Sequence, residues 1–187
     1  MAVLIGVVSG VLLILAFVLL RDRMASFAAQ TPADYADAEP SFDLRRHLEG
    51  PILCEGVIYG PLGRVASRFV GDFDVRWDGD TGVMEERFTY DSGEVQTRAW
   101  HLRLHADGRI DAEAADVIGT GRGWQAGPTV SLRYRIRLDE DAGGHVLDAI
   151  DWMYLAPNGV IVNRSQFRKF GIKVAELVAT MRRKEAV

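Results

Sequence analysis

Charged side chains inside otherwise apolar stretches are the residues of this sequence with the clearest potential for chemistry. Arg98 lies two positions before Trp100, Asp116 follows two alanines, and Asp151 directly precedes Trp152. If these stretches are strands of a closed sheet, some of the charges point inward and must be ion-paired or hydrogen-bonded there. One hypothesis is structural: an Arg–Asp pair, such as Arg98 with Asp151, ties strands together, or the charges lie on the outer face. The other hypothesis is a partly polar cavity that holds a ligand.

Aromatic side chains near these charges would form the walls of such a cavity. The candidate ligand-cavity residues are Tyr90, Arg98, Trp100, Asp116, Asp151 and Trp152. Asp116 and Asp151 would supply the acid and the base if the cavity catalyses a reaction. No catalytic residue is assigned, because Ser131 and Ser165 lack the surroundings of a nucleophile elbow.

Neither a metal site nor a cofactor is predicted. His101 and His105 lie in a strand-like run, where four residues separate them by about 13 Å, too far to share one ion. The glycine-rich stretch 119–123 is followed by a strand pattern and not by the helix start that a phosphate-binding loop requires. Cys54 is the single cysteine, has no basic neighbour in sequence, and is expected to be inert.

Charge and size restrict the classes of partner. The chain has 187 residues and a net charge of −4, from 22 basic and 26 acidic side chains. A nucleic-acid partner is therefore not predicted, since such a protein needs a basic face to neutralise phosphates. The length is sufficient for one domain with a substantial apolar core.

The elements that must position these residues are strands. Apolar residues and arginines alternate strictly over 132–138, which predicts a strand with one buried and one solvated face. A similar alternation covers 65–77, and glycine-containing turn signals follow each such run. Eight to ten short antiparallel strands with no long helix between them are typical of a closed barrel or a sandwich. The predicted fold is mainly β: a lipocalin-like antiparallel β-barrel of 8–10 strands with a short N-terminal helix.

The N-terminus is predicted to be a membrane anchor. Residues 2–20 carry no charge, and a helix of that length extends about 28 Å, close to the hydrocarbon thickness of a bilayer. This predicts one transmembrane helix over 1–23; a cleaved signal peptide is the alternative, although no Lys or Arg precedes the apolar run. Residues 24–40 are predicted to be a linker, 41–50 a short helix, and 41–187 the barrel domain. For the last segment, the apolar pattern around Val174 and Val178 fits either a helix or a strand whose alternation is interrupted once.

Eight separated motifs carry a family resemblance. They are Pro40-x-Phe42-Asp43-Leu44, Glu49-Gly50-Pro51, Gly63-Arg64-Val65-x-x-Arg68-Phe69, Phe88-x-Tyr90-Asp91-x-Gly93, Arg98-x-Trp100, Ala115-Asp116-Val117-x-Gly119, Asp151-Trp152-Met153-Tyr154 and Lys169-Phe170-Gly171-Ile172. In this order they resemble an uncharacterised bacterial family, domain of unknown function 3833, whose members are often described as lipoproteins. The resemblance implies a bacterial envelope setting and a strand at the C-terminus, but no established activity. No cysteine follows the apolar run, so the helix itself would replace a lipid anchor.

The leading functional expectation is non-catalytic binding or handling of a lipid-like or other apolar small molecule. An accessory or scaffold subunit of an envelope complex is one alternative, and a lipocalin-like enzyme of hydration or isomerisation is another. A filled barrel interior would favour the scaffold, whereas an open interior would favour the binder or the enzyme. The expected location is the bacterial inner membrane, single-pass, with the domain in the periplasm; a cytoplasmic domain is the alternative, which Arg21 and Arg23 after the helix favour. The lipid bilayer and an apolar small molecule are the expected partners, and protein partners are unknown.

Overall fold

The computed structural model describes residues 1–184, without the side chains of residues 2–4, 19, 22, 23 and 141. The last three residues of the predicted barrel domain, 185–187, lie outside the described residues. Two α-helices and ten strands are formed: α1 Ala2–Met24, α2 Leu44–His47, β1 Gly50–Tyr59, β2 Val65–Asp78, β3 Thr81–Tyr90, β4 Val95–Leu104, β5 Arg109–Glu113, β6 Gly121–Ala126, β7 Thr129–Arg137, β8 Val146–Leu155, β9 Ile161–Lys169 and β10 Ile172–Arg183.

The strands form one closed antiparallel barrel in which each strand pairs with its neighbours in sequence. The barrel closes where β1 pairs with β10, from Ile52 opposite Arg183 to Tyr59 opposite Glu176. The C-terminal segment is therefore a strand, as the family resemblance implied. Closure leaves no unpaired sheet edge between the first and the last strand.

The alternation read from the sequence determines which side chains face the interior. In β7, Leu132, Tyr134 and Ile136 are buried, whereas Arg133 and Arg135 between them are exposed. Two glycines in the wall give room for aromatic rings: a Cβ on Gly56 would lie 2.5 Å from the ring of Phe69, and one on Gly71 would lie 2.7 Å from the ring of Phe73. The interior is thus packed with side chains of alternating size, as in other small barrels.

A short segment around α2 covers one end of the barrel. Phe42, Leu44 and Leu48 are almost fully buried and join the apolar core. The segment is held by hydrogen bonds, including Trp77 Nε1–H to the Leu48 carbonyl at 2.7 Å and Phe42 N–H to the Gly127 carbonyl at 2.8 Å. We call this end of the barrel the closed end. The predicted short N-terminal helix is therefore present, as a plug of the interior.

Residues 26–38, within the predicted linker 24–40, lie against the outer wall. They form two 3₁₀ turns, Phe27–Ala29 and Pro32–Tyr35. The ring of Tyr35 packs edge-on against Trp152 at 5.5 Å between centroids, and the guanidinium of Arg164 lies 4.5 Å from the ring of Phe27. We call this segment the strap, because it covers β7, β8 and β9 from outside.

The predicted transmembrane helix over 1–23 is wrong. In the part of the chain that the structure describes, no helix is both long enough and apolar enough to cross a membrane. The location at the inner membrane loses this support and stays a prediction.

Candidate functional site

A cavity of about 110 Å³ lies inside the barrel. Apolar side chains form most of its wall, among them Phe73, Trp100 and Met153. Two groups of polar side chains, on strands that are not neighbours, also line it. The first is Glu86 on β3 and Arg98 on β4; the second is Asp151 on β8 with Asn163 and Ser165 on β9. This combination of an apolar wall and a few converging polar groups is typical of a small-molecule site.

The first polar group consists of Glu86, Arg98 and Asp116. Glu86 and Arg98 are directly opposite each other in the β3–β4 register, and 3.7 Å separates Glu86 Oε2 from Arg98 Nε. Arg98 Nη2–H donates to Asp116 Oδ1 at 2.9 Å, and the Arg98 guanidinium also lies 4.4 Å from the centroid of the Trp100 ring. Glu86 Oε2 and Arg98 Nε are buried and have no hydrogen-bond partner among the described residues.

The second polar group is centred on Asp151. Ser165 Oγ–H donates to Asp151 Oδ1 at 2.8 Å, and Asn163 Nδ2–H donates to the same oxygen at 2.5 Å. All three side chains point inward because they lie in the interior phase of β8 and β9, where Asp151 is opposite Ser165. One oxygen of this buried carboxyl is therefore held by two donors.

Burial raises the pKa of both interior carboxyl groups. The pKa of Glu86 rises from its ordinary value of 4.5 to about 8, mainly because burial disfavours the charged form, and the Arg98 charge only partly opposes this. The pKa of Asp151 is also raised by burial, while the hydrogen bonds from Ser165 and Asn163 act in the opposite direction. At neutral pH, Glu86 is therefore mostly protonated and able to donate a hydrogen bond.

A seam in the barrel wall lies beside the first polar group. In the described chain, β4 pairs with β5 only over His101–Leu104, so residues 95–100 have no strand partner on that side. The loop after β5 approaches there, and it is joined to β7 by the bridge between Val117 and Ile136. The ion pair of Arg98 with Asp116 connects this loop to β4 across the seam. Side chains, and not a backbone ladder, therefore close the wall next to the cavity.

The structure places the six candidate residues in four environments. Arg98, Trp100 and Asp151 line the cavity, whereas Asp116 is partly exposed and reaches the cavity only through Arg98. Tyr90 faces inward beyond the cavity, with its ring stacked on Phe88 and its hydroxyl donating to Gln96 at 2.8 Å. Trp152 is on the outer wall under Tyr35 of the strap. As ligand-binding residues, all six stay predictions.

Consecutive strand residues cannot share a face, which explains the position of Trp152. Asp151 points inward, so Trp152 next to it must point outward. Arg98 and Asp151 are also not a direct pair: Arg98 contacts Glu86 and Asp116, and Asp151 contacts Ser165 and Asn163.

Sequence reasoning missed Glu86. A signal was present, because Glu86 is in phase with Met84 and Phe88 on β3, while Glu85 and Arg87 are in the opposite, exposed phase. A charge that replaces an apolar residue in an alternating strand marks an interior polar group. Asn163 and Ser165 were missed for a different reason. Polar residues of β9 are assigned to the interior only after the pairing of β9 with β8 has placed them beside Asp151.

Solved structures with a similar fold have low sequence identity to this chain. The S-type phycobiliprotein lyase CPES from Guillardia theta is 12% identical with a TM-score of 0.55, and the match covers 76% of this chain and 91% of the lyase. Rv2717c from M. tuberculosis is 14% identical with a TM-score of 0.56, covering 80% of this chain and 100% of that chain. At these identities the likeness shows the fold alone.

A third similar structure is a protein of unknown function from the DUF3598 family of Nostoc punctiforme. It is 10% identical with a TM-score of 0.54; the match covers 78% of this chain and about half, 51%, of that protein. No curated protein matches the sequence of this chain. The model of one family, described as protein of unknown function (DUF3833), matches residues 22–183, from the end of α1 to the last residue of β10. The chain therefore belongs to the DUF3833 family.

Proposed function

We propose that this barrel binds a small, mainly apolar molecule in its interior, and that the molecule carries one head group able to donate and accept hydrogen bonds. The observation that supports this proposal most strongly is the pair of unsatisfied polar atoms at the cavity wall. Glu86 Oε2 and Arg98 Nε are buried without a hydrogen-bond partner among the described residues. Leaving such groups unsatisfied costs about 1–3 kcal/mol each, and a ligand head that contacts both atoms from the cavity would remove that cost.

The chemistry of the two atoms defines the head group. Arg98 Nε–H can only donate, so the head must present an oxygen or nitrogen that accepts. Glu86, protonated near neutral pH, can donate or accept through its carboxyl group. A hydroxyl, a carboxylic acid or a primary amide meets both requirements, whereas a pure hydrocarbon meets neither.

The size of the cavity restricts the apolar part. About 110 Å³ is less than the roughly 150 Å³ of an engineered apolar cavity that binds benzene. A molecule with a longer chain must therefore displace wall side chains, and the seam beside Arg98 is the part of the wall where no strand pairing resists displacement. The fold is similar to that of a phycobiliprotein lyase, and this fold analogy supports the handling of a small molecule.

Mass spectrometry of small molecules extracted from the purified full-length chain tests this proposal. The wild type should release a molecule that is absent from a matched Ala179→Leu variant. Ala179 is buried and lines the cavity, so that the added carbons occupy its volume. The control is Ala99→Leu, which adds the same atoms to the outer wall opposite Glu85 and should leave the extract unchanged.

Loss of a molecule only in Ala179→Leu supports an occupied interior. If wild type, Ala179→Leu and Ala99→Leu release the same molecules, nothing specific occupies the interior. As a complementary test, added 1-hexanol should raise the melting temperature of Ala99→Leu but not that of Ala179→Leu, since ligands that bind the folded state stabilise it.

A second candidate function is an acid–base enzyme of the hydration or isomerisation type. Two buried carboxyl groups with raised pKa, Glu86 and Asp151, line one cavity, and this arrangement is typical of general acid–base catalysis. Hydration takes its new carbon-bound hydrogen from water, and isomerisation does so when the catalytic base exchanges its proton with solvent. Incubation in D₂O should then introduce deuterium at carbon in the co-purifying molecule with wild type and not with Glu86→Gln; unlabelled carbon with wild type would reject hydration and any isomerisation through an exchanging base.

A further inference from the structure

At the barrel end opposite α2, two neighbouring hairpins present large apolar side chains to solvent. The β1–β2 loop carries Leu62, which is 86% exposed, and the β9–β10 turn carries Phe170, which is 91% exposed, followed by Ile172 at 69%. The two hairpins are adjacent in the wall because β1 pairs with both β2 and β10. We call Leu62, Val65, Phe170 and Ile172 the apolar tips. A group of exposed apolar side chains of this kind marks an interaction surface.

The backbone at Phe170 is unusual for an aromatic residue. Phe170 and Gly171 form the two central positions of a tight hairpin turn, with φ angles of 52° and 79°. Such turns prefer Asn or Gly at the first position, since positive φ is unfavourable for bulky side chains. Arg168 supports the turn through Nε and Nη2, which donate to the Gly171 carbonyl at 3.0 and 2.7 Å. The chain thus holds an aromatic ring outward at a position where a small polar residue would be more stable.

The charge around the apolar tips differs from that of the rest of the chain. Residues 56–71 contain two basic and no acidic side chains, and residues 164–175 contain four basic and no acidic side chains, in a chain of net charge −4. The six are Arg64, Arg68, Arg164, Arg168, Lys169 and Lys173. Some of these charges are neutralised, since Arg68 pairs with Asp91, and Arg164 on β9 and Lys173 on β10 both pair with Glu176 on β10.

The apolar tips nevertheless keep a cationic border. Lys169 lies 5.8 Å from the centroid of the Phe170 ring, and its ammonium contacts only the ring nitrogen of His145, at 3.0 Å, among described polar partners. Arg64 is next to Val65 in the other hairpin and is exposed. At the same barrel end, the acidic residues Glu94 and Asp139 belong to other turns, so the end has one basic, apolar side and one acidic side.

We propose that the apolar tips insert into the surface of an anionic lipid bilayer, with Arg64 and Lys169 at the level of the lipid head groups. Exposed aromatic and aliphatic side chains bordered by basic residues fit this surface in both polarity and charge. A second copy of this chain would also bury the apolar tips, but it would bring Arg64 and Lys169 close to the same basic side chains of the other copy, whereas an anionic surface neutralises them. The acidic turns keep the opposite side of the barrel end away from the bilayer, so the barrel docks tilted.

The test reads the depth of one position and not the binding of the whole chain, because the described apolar side chains of α1 are also exposed. Leu62→Cys in the full-length chain is labelled with an environment-sensitive fluorophore. Cys54 stays unlabelled, since it is buried and burial raises the pKa of its thiol to about 12. The matched control is the same label on Asn158→Cys, in the exposed β8–β9 turn at the closed end.

With vesicles of phosphatidylcholine and phosphatidylglycerol, emission from position 62 should shift to shorter wavelength, and emission from position 158 should not. Adding Phe170→Ser or Lys169→Glu to Leu62→Cys should reduce the shift, as should vesicles of phosphatidylcholine alone or high salt. No shift at position 62, or equal shifts at both positions, overturns the proposal. A shift without vesicles that grows with protein concentration would assign the apolar tips to a second copy of the chain and also overturns it.

Discussion

Two carboxyl groups line the same cavity, and the barrel supports them differently. Asp151 has a dedicated pair of donors, Ser165 and Asn163, on the neighbouring strand. Glu86 has no hydrogen bond through Oε2 and only a 3.7 Å ion-pair contact with Arg98, which is shared with Asp116. Asp151 therefore has the surroundings of a structural group, whereas Glu86 keeps a buried oxygen without a hydrogen-bond partner among the described residues, which is the basis of the proposed ligand contact.

Burial and a raised pKa alone therefore do not distinguish structural from functional polar groups. Burial raises the pKa of both carboxyl groups. What distinguishes them is the number of partners that the protein itself supplies.

The largest expected effect is a loss of stability as pH rises. The pKa of Glu86 is about 8 in the folded state against 4.5 ordinarily, so the folded protein binds an extra proton between these values and loses stability as pH rises through that window. From pH 5 to pH 8 we expect a loss on the order of 3 kcal/mol from this group. Denaturant unfolding of wild type and Glu86→Gln at both pH values measures it, and the variant should be less sensitive to pH. An equal pH dependence in the two proteins would show that Glu86 ionises normally.

An effect of similar size is expected for Arg98→Leu. This change removes the cation from Asp116 and Glu86 together, and should cost about 3 kcal/mol, because a partly buried Asp116 loses its partner. The double variant Arg98→Leu, Asp116→Leu should recover much of the loss. Thermal melts of both variants decide between a structural pair and a ligand-holding pair: if neither melts below the wild type but the extracted molecule is lost, Arg98 binds a ligand in a solvated site.

A smaller loss is expected for Asp151→Leu. It leaves the Ser165 hydroxyl and the Asn163 amide without their acceptor, at a cost of about 2 kcal/mol. Asp151→Asn should cost less, since the side-chain carbonyl can still accept one bond. Comparing the two free energies of unfolding checks this order, and a larger loss in the Asn variant would contradict the structural assignment of Asp151.

The smallest effect, about 1 kcal/mol, is expected for Ser165→Ala. It removes one of the two donors to Asp151 and should raise the pKa of Asp151 further, because that hydrogen bond favours the charged form. NMR titration of the Asp151 carboxyl carbon reads this shift directly. An unchanged pKa would mean that the Ser165 hydroxyl does not donate to Asp151 in solution.

The sequence predicted the barrel better than the site, for a physical reason. The sequence of a strand such as β7 shows which residues face the interior, because the buried positions are apolar and occur at every second residue. A site depends on which strands become neighbours. The partners of Asp151 lie on β9, and nothing in β8 indicates them.

The position of the strap shows a second limit. Residues 24–40 have no periodic pattern, which predicted a linker, yet Tyr35 and Phe27 contact Trp152 and Arg164 on the barrel wall. Because the sequence does not show that Tyr35 covers this part of the wall, the apolar residue Trp152 was interpreted as lining the interior. The transmembrane helix was predicted from the hydropathy of 1–23 alone, and the described residues contain no helix that is long and apolar enough to cross a membrane.

The β1–β10 pairing has a consequence for the biosynthesis of the protein. Residues 52–59 pair with β2 on one side, but their partners on the other side lie at 176–183, so the barrel cannot close until the ribosome has released β10. Until then β1 offers a free strand edge, and contacts so distant in sequence form slowly. A nascent or prematurely terminated chain lacking β10 would expose the edges of both β1 and β9 and be prone to intermolecular strand pairing. Chaperone demand during synthesis should thus be concentrated in the interval between the emergence of β1 and that of the last strand.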